Sequence, residues 1–431
     1  MDYNEYITGL MKMLDDSPSK YLVVKNTSSI LENAGFKKLD LCKEFPALYP
    51  GDKVYVTKNN STLFAFVIGE DLPDNGLKVI AAHSDFPCLH LKSSPEVYSE
   101  GGLVKINIEP YGGPQLSTWF DRPLSIAGRV FIKSDDIYSP IEKTVKINEP
   151  IAVIPSTPFH SKKTGKEGGG ISAQYDMMPI VGTIDRDAYQ NFVHTLVAES
   201  LSVLPEDILS MELCFYDTDK ATIVGQNKDF LLSSRIDCVA YVYAGLMSII
   251  NAKLQKKTLS LAIWDNEECG SISKQGAAST IYRDVIERIL KATGHEIYGT
   301  SQCIENSFCV SLDIAFAVHP NHPELSDSTN RPIMCKGPVI KTDTRLRYAT
   351  DAESEAIIAS LFQKENIPYQ YQMNNNDVTG GNTLSAIAAM GTPIKCVDIG
   401  VATWAGHSIK ETTSLSDMYT LHRALSAYMR S

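Results

Sequence analysis

Residues 259–268 read LSLAIWDNEE, an apolar run that ends abruptly in polar and acidic residues. The same design recurs along the chain, where residues 79–83 read VIAAH, residues 308–313 read FCVSLD and residues 394–398 read IKCVD. Short and nearly continuous apolar runs are typical of strands that are buried on both faces of a parallel sheet. The sequence therefore predicts buried strands whose ends carry a histidine or a carboxylate.

Helical patterns lie between these predicted strands, at residues 240–253, 275–292 and 352–363. Alternating strands and helices predict an α/β fold, here a catalytic domain with a mixed, largely parallel sheet flanked by helices. In such folds, binding sites form beyond the carboxyl ends of the strands. His83 and the acidic residues that follow the other runs are expected at that edge.

The stretch from residue 92 to residue 224 has a different character. It is rich in glycine, proline and serine and contains short β-like runs, such as residues 103–108 and 125–132. We interpret it as a β-rich domain inserted into the catalytic domain. The predicted catalytic domain is then discontinuous, comprising residues 1–91 and 225–431.

Composition narrows the class of protein. The chain has 431 residues and a net charge of −11 without a long basic run, which argues against nucleic acid as a partner. Its nine cysteines form no CxxC pair and do not resemble a secreted disulfide framework. The chain shows neither a signal-peptide pattern at its acidic start nor an apolar run that could span a membrane. We expect a soluble, cytoplasmic protein that does not bind membranes.

Several histidines and carboxylates near predicted strand ends are candidates for a shared metal site. Nitrogen and carboxylate ligands without cysteine suit a hydrolytic zinc site, with cobalt and manganese as alternatives. Because carboxylates can bridge, two divalent ions ~3.5–4 Å apart are plausible. The candidates are His83, Asp237, Glu267, Glu268, Asp313 and His407.

Each candidate also has a simpler interpretation. Asp237 precedes an apolar helix and could be its N-cap. The acidic residues 265–268 could form a solvated loop, and His407 could be an ordinary loop histidine. Asp85 lies close to His83 in sequence and could accept the N–H of a metal-binding imidazole. Taken together, the six candidates favour a shared metal site over a separate explanation for each.

Competing catalytic motifs are missing from the sequence. It contains no phosphate-binding GxxxxGK[ST] loop, no GxGxxG after a strand and no GxSxG nucleophile elbow. Residues 295–299 read HEIYG, which begins like a zinc-binding HExxH helix but lacks the second histidine.

Seven stretches of distinctive sequence occur along the chain: HSDFPCL (83–89), STWFDR (117–122), EECGS (267–271), AVHPN (317–321), KGPVIK (336–341), YATD (348–351) and HSIKE (407–411). In these stretches, and over nearly its whole length, the chain resembles the aspartyl aminopeptidase family of metallopeptidases. The resemblance implies an α/β catalytic domain interrupted by a β-rich dimerisation domain. It also implies dimers that assemble into a tetrahedral dodecamer.

The same resemblance implies how the metal ligands divide between two ions. His83 and Asp313 would hold one ion, Glu268 and His407 would hold the other, and Asp237 would bridge them.

The resemblance also implies three residues that act without holding an ion. Glu267 would be the general base and Asp85 would orient His83. His160, in the inserted domain, matches a histidine that reaches a neighbouring subunit's active site in related enzymes.

A resemblance to aminopeptidases implies peptide substrates from which single N-terminal residues are removed. Lys341, Phe316 and Gly381 would lie on the substrate side of the site. Phe316 stands where family members that prefer acidic residues carry histidine, so a neutral or broader preference competes with a preference for Asp or Glu. A further departure is Cys238, where relatives usually carry Asn.

Two other functions remain as alternatives at this point. The first is a different dinuclear metallohydrolase on the same scaffold, such as a deacylase or a broad peptidase. The second is a scaffold protein that has lost its catalytic activity.

Overall fold

The structure is a computed structural model that describes residues 1–158, 160, 170–185, 189–378 and 380–431. The chain forms two compact units. Unit 1 comprises Met1–Asp85, Ala221–Gly406 and Glu411–Ser431, and unit 2 comprises Phe86–Lys220 and His407–Lys410. The short segment His407–Lys410 thus groups with unit 2, whereas the sequence analysis placed it in the catalytic domain.

Strands and helices account for most of the described residues. The strands are, in chain order, β1 (Lys37–Lys38), β2 (Lys53–Lys58), β3 (Thr62–Val67), β4 (Leu77–His83), β5 (Cys88–Tyr98), β6 (Leu103–Tyr111), β7 (Leu124–Ile132), β8 (Ile141–Lys146), β9 (Ile180–Thr183), β10 (Ile208–Asp217), β11 (Thr222–Val224), β12 (Phe230–Ser233), β13 (Thr258–Trp264), β14 (Phe308–Leu312), β15 (Ala315–Phe316), β16 (Val339–Lys341), β17 (Gln370–Gln372), β18 (Lys395–Gly400), β19 (Ala402–Trp404) and β20 (Glu411–Ser414). The α-helices are α1 (Tyr3–Asp16), α2 (Lys20–Asn33), α3 (Leu72–Asn75), α4 (Phe192–Leu201), α5 (Tyr241–Ile250), α6 (Ile281–Ala292), α7 (Thr300–Glu305), α8 (Ala352–Lys364), α9 (Leu384–Gly391) and α10 (Leu415–Arg430).

The main sheet of unit 1 has the strand order β1-β2-β3-β13-β4-β14-β18-β16-β17. Its central strands β13, β4, β14 and β18 are parallel, while β3 and β16 run antiparallel to their neighbours β13 and β18. This mixed, largely parallel sheet confirms the predicted α/β fold. Since the central strands are parallel, their carboxyl ends meet at one edge, where His83 pairs in register with Trp264.

Apolar side chains cover both faces of this sheet. Every residue of β4 and β13 is buried, as expected for strands with helices on both sides. Helix α5 is buried at every position except its last, Ile250, and it packs against β4 and β13. One cluster of buried residues joins Val79 of β4 and Ala262 of β13 to Phe64, Tyr282 and Ile286. A smaller sheet of unit 1 has the order β11-β12-β20-β19-β15.

Unit 2 is built on an antiparallel sheet with the order β8-β7-β10-β5-β6-β9. The segment His407–Lys410 is bonded into this unit. The Gln115 N–H donates to the main-chain oxygen of His407 at 2.9 Å, and the Ile409 N–H donates to Oγ1 of Thr118 at 3.0 Å. Nζ of Lys410 lies 3.3 Å from a buried carboxylate oxygen of Asp217. These bonds explain why the segment belongs to unit 2.

None of the helices in the described part of the chain combines the length and the apolar character that crossing a membrane requires.

Candidate metal centre

His83 ends the buried strand β4 and is only 1% exposed. Its Nδ1 lies 3.0 Å from the main-chain oxygen of Asp85. Since a carbonyl oxygen can only accept, Nδ1 carries a proton, and in the neutral form of the ring the lone pair lies on Nε2. Desolvation lowers the pKa of His83, but Cys238 and the neighbouring carboxylates raise it well above its usual range. A cation at Nε2 would favour the neutral ring. That Nε2 lies 3.3 Å from Oδ1 of Asp237. In a neutral ring, two lone pairs therefore face each other, and a cation between them would turn this repulsion into attraction.

The Asp85 carboxylate contacts the turn that follows β13 more closely than it contacts His83. Its two oxygens accept the main-chain N–H groups of Glu267 and Glu268, both at 3.1 Å. The distance from Oδ1 of Asp85 to Nδ1 of His83 is 3.6 Å. Asp85 thus bonds His83 through its main chain and the two glutamates through its side chain.

Glu267 and Glu268 lie in a short 3-10 turn directly after β13. Ligand atoms of His83, Glu267 and Glu268 lie within 4.8 Å of one another, and those of Asp237 and Glu268 are as close. Desolvation raises the pKa of Glu267 to about 8, and the neighbouring carboxylates raise it too, although His83 lowers it. Desolvation likewise raises the pKa of Glu268 well above its usual range. Positive charge among these groups would restore their ionised forms.

Asp237 lies in an irregular turn, Ile236–Ala240, rather than in helix α5 itself. The turn follows Arg235, whose φ of 63° is left-handed, and the Asp237–Cys238 peptide bond is cis. The N-cap of α5 is Ala240, so the simpler interpretation of Asp237 as the cap of this helix is wrong. Asp237 is buried, and its N–H donates to Oε2 of Glu411 at 3.0 Å.

Asp313 follows β14 and is buried beside Lys341. Its Oδ2 lies 3.6 Å from Nζ of Lys341, and that Nζ donates to the main-chain oxygen of Ile314 at 2.9 Å. Desolvation raises the pKa of Asp313, whereas Lys341 lowers it. Nζ of Lys341 also lies 5.0 Å from the ring centroid of Tyr348, within the range of a cation–π contact.

Cys238 adjoins the cluster but bonds to the main chain. Its Sγ accepts the N–H of His83 at 3.5 Å and donates to the main-chain oxygen of Leu312 at 3.6 Å. Burial raises the pKa of the Cys238 thiol to about 11, which favours the protonated form. The thiol therefore links the ends of β4 and β14, and the donors that remain are one imidazole nitrogen and carboxylate oxygens.

This set of donors fits divalent ions. Hydrolytic zinc sites use the same arrangement: an imidazole whose Nδ1 is hydrogen-bonded to a carbonyl oxygen, with buried carboxylates around it. Buried carboxylates require nearby positive charge or hydrogen bonds to stay ionised. The residues that the structure brings together are His83, Asp85, Asp237, Glu267, Glu268, Asp313 and Lys341.

Four further predicted site residues belong to other segments of the chain. His407 lies in unit 2, with Nδ1 3.3 Å from the main-chain oxygen of Gly113. Phe316 is 44% exposed. His160 is exposed, and the residues on either side of it lie outside the described part of the chain. A Cβ atom added at Gly381 would meet nothing within 4 Å. The roles of these four residues stay predictions.

Two residues that hold the glutamate turn were not among the predicted site residues. Asp265 is fully buried, and Lys20 donates to it from helix α2 at 2.9 Å. The position of Asp265 at the end of an apolar run is a sequence signal that could have identified it. Lys20 gave none, because it is 245 residues away in sequence.

Comparisons with known proteins identify relatives across almost the whole chain. Residues 13–429 match the family model described as aminopeptidase I zinc metalloprotease (M18). A Clostridium acetobutylicum protein named probable M18 family aminopeptidase 2 is 39% identical over 418 residues, which is 96% of each chain. Among solved structures, a chain from the cryo-EM structure of the Ape4 and Nbr1 complex has a TM-score of 0.94 at 28% identity, covering 99% of this chain and 86% of that one. The S. cerevisiae mApe1 dodecamer shares the fold, with a TM-score of 0.85 at 23% identity, covering 99% of this chain and 97% of that one.

Proposed function

Because this chain belongs to the M18 family of zinc metallo-aminopeptidases, we propose that it cleaves single N-terminal residues from peptides at a centre of two divalent ions. Family membership makes the chain a metal-dependent aminopeptidase, a hydrolase of peptide bonds. The number of ions, their ligands and the preferred first residue are the parts that we propose here. Zinc is the expected metal, with cobalt and manganese as alternatives.

The ligands we propose are those that the family resemblance implies. His83 and Asp313 would hold one ion, Glu268 and His407 would hold the other, and Asp237 would be a ligand of both. The observation that carries this proposal is the 3.3 Å approach of Nε2 of His83 to Oδ1 of Asp237. Because Nδ1 of His83 bonds to a carbonyl oxygen, the neutral ring has its lone pair on Nε2, and both facing atoms can then offer lone pairs to a cation.

Bound divalent ions supply positive charge that polarises a peptide carbonyl and lowers the pKa of water. Glu267 is the proposed general base: its carboxylate accepts a proton from the attacking water and passes it to the leaving amine. Desolvation raises the pKa of Glu267 to about 8. Nearby positive charge would lower that pKa, so the carboxylate is ionised at neutral pH. The Asp85 carboxylate holds the main chain of this turn.

A neutral or broad preference for the first residue follows from the surroundings of Lys341. Its side chain is 2% exposed and lies 3.6 Å from the Asp313 carboxylate. It also donates to the main-chain oxygen of Ile314. Because its ammonium group already contacts these two oxygens inside the protein, Lys341 is little available to bind an acidic substrate side chain. We therefore propose that the enzyme cleaves neutral first residues at least as well as Asp or Glu.

Assembly and location are further parts of the proposal. Unit 2 serves as the dimerisation domain, and dimers assemble into a tetrahedral dodecamer in which His160 reaches a neighbour's site. One structural relative, S. cerevisiae mApe1, is described as a dodecamer. The cysteines are free thiols, which suits a reducing, cytoplasmic location.

Substitution of Glu267 by Gln tests the proposed chemistry. The variant keeps the shape of the side chain but cannot take a proton, so turnover of leucyl-anilide should fall ~10²–10⁴-fold. Zinc content should be unchanged, since Glu267 is not a proposed ligand. The control is Glu305→Gln, which alters an exposed carboxylate and should leave turnover unaffected.

Two outcomes would contradict the proposal. Full activity in Glu267→Gln would assign the base to another residue. Equal cleavage of an N-acetylated peptide and its free counterpart would point to a broad peptidase rather than an aminopeptidase.

A further inference from the structure

A buried ion pair lies directly behind the turn that carries Glu267 and Glu268. Asp265, the residue after strand β13, is fully buried. Nζ of Lys20 lies 2.9 Å from its Oδ1, and the Lys20 side chain is only 13% exposed. Lys20 is the first residue of helix α2, so the pair joins this helix to the end of the strand.

Both oxygens of the Asp265 carboxylate are fully engaged. Oδ1 accepts from Nζ of Lys20 at 2.9 Å and from the N–H of Asn266 at 2.7 Å. Oδ2 accepts from Oγ of Ser61 at 2.6 Å and from Nε2 of Gln275 at 3.0 Å. Four donors from separate segments thus fix the side chain in one orientation. Charge-assisted hydrogen bonds of this kind are stronger than neutral ones.

The next residue, Asn266, turns the chain into the site. Its φ of 64° is left-handed, a conformation that Asn tolerates better than most residues. Its side-chain oxygen accepts from Oγ of Ser273 at 2.9 Å and from Nε2 of Gln275 at 3.0 Å. Gln275 therefore bonds both Asp265 and Asn266 and locks the start of the turn.

Two carboxylates hold this turn from different positions along the chain. Asp85 accepts the N–H groups of Glu267 and Glu268, while Asp265 accepts the N–H of Asn266. The positions of both glutamate side chains depend on these main-chain bonds. Lys20 balances the charge of Asp265, so this ion pair adds no uncompensated charge behind the cluster of carboxylates.

We propose that Lys20 and Asp265 are positioning residues that set the placement of Glu267 and Glu268. This inference rests on the proposed function, in which Glu267 is the general base and Glu268 a metal ligand. Substitution of residues that support metal ligands typically costs ~10–100-fold in activity or metal affinity. The ion pair therefore contributes to turnover as well as to packing.

The test uses Asp265→Asn, Lys20→Met and Lys20→Arg in the full-length, zinc-loaded enzyme. For Asp265→Asn and Lys20→Met, kcat on leucyl-anilide should fall ~10–100-fold with KM changed less than about threefold. The Kd for zinc should rise in both variants. It is measured on the metal-free protein, with a chromophoric chelator as the competitor. Lys20→Arg keeps the charge and should retain kcat within about threefold. The control is Lys12→Met, which breaks an exposed Lys–Asp pair and should change neither quantity.

The outcomes separate this inference from the function on which it rests. If Glu267→Gln abolishes turnover while Asp265→Asn and Lys20→Met keep the wild-type kcat and zinc Kd, the positioning role is wrong and the proposed function stands. If Glu267→Gln keeps full turnover, the proposed function itself fails. If Asp265→Asn does not fold, Lys20→Met decides: a lowered kcat at an unchanged melting temperature supports the inference, and a wild-type kcat overturns it.

Discussion

Burial changes the role that is expected of Lys341. In the sequence it is an ordinary lysine on the substrate side of the predicted site. In the structure its Nζ contacts a predicted metal ligand, Asp313, and the main-chain oxygen of Ile314. Its charge is thus committed inside the protein. This placement favours a role in holding Asp313 over a role in recognising acidic substrates.

Substitution of Lys341 by Met distinguishes these two roles. Loss of the ammonium removes the positive neighbour of Asp313 and a donor to Ile314, so kcat/KM should fall by the same factor, ~10–100-fold, for leucyl- and glutamyl-anilides. Lys336→Met, at an exposed lysine nearby, is the matched control. A fall confined to acidic first residues would make Lys341 their receptor.

Some site residues were predictable from the sequence and others were not. His83, Glu268 and Asp313 follow apolar runs, and parallel strands bring such ends together. The turn at Asp237 was not predictable, because the left-handed Arg235 and the irregular chain that follows it depend on tertiary contacts. Sequence periodicity carries no information about such local conformations.

At the scale of elements, the sequence predicts which segments are helical better than it predicts where each helix begins and ends. The predicted helix over 275–292 begins only at Ile281, because Gln275 is bonded to Asp265 and Asn266. The predicted helix over 352–363 ends one residue later, at Lys364. Bonds from Gln275 to residues nine and ten positions earlier thus keep it outside the first helix, whereas the second, begun by an Asp351 capping box, follows local rules.

The packing of helices α1, α5 and α10 makes stability depend on pH. His422 of α10 stacks on Tyr6 of α1 at 4.7 Å between centroids, and its Nδ1 lies 3.4 Å from Oγ of Ser248 in α5. Burial lowers the pKa of His422 to about 4. The unfolded chain, with a histidine pKa of about 6.5, binds the proton more readily. The contribution of neutral His422 to the unfolding free energy is therefore fully present above pH ~6.5 and is lost as the pH falls toward 4.

Substitution of His422 by Phe should remove this dependence while retaining the stacked ring. Between pH 7.5 and 5 the wild type should lose about 2 kcal/mol more of its unfolding free energy than the variant does. Urea unfolding with a chelator present measures this difference without contributions from bound metal. His322→Phe, at an exposed histidine, is the control. Equal losses in wild type and His422→Phe would show that His422 does not titrate in this way.

At the scale of the whole molecule, the predicted α/β fold is confirmed, and a β-rich unit interrupts it in sequence. The segment His407–Lys410 could not be assigned from its sequence, because its partners Gln115, Thr118 and Asp217 lie far away in the chain. Long-range pairing of this kind decides which unit a short segment joins. The family could be inferred from the sequence, since the motifs lie throughout the chain.

The most direct test of the proposed two-ion centre is the zinc content per chain, measured by mass spectrometry after exhaustive dialysis. We predict two ions per chain in the wild type and at most one in His83→Ala, with turnover lost on chelation and restored by added zinc. A wild-type chain that retains full turnover while holding one ion or none would contradict it.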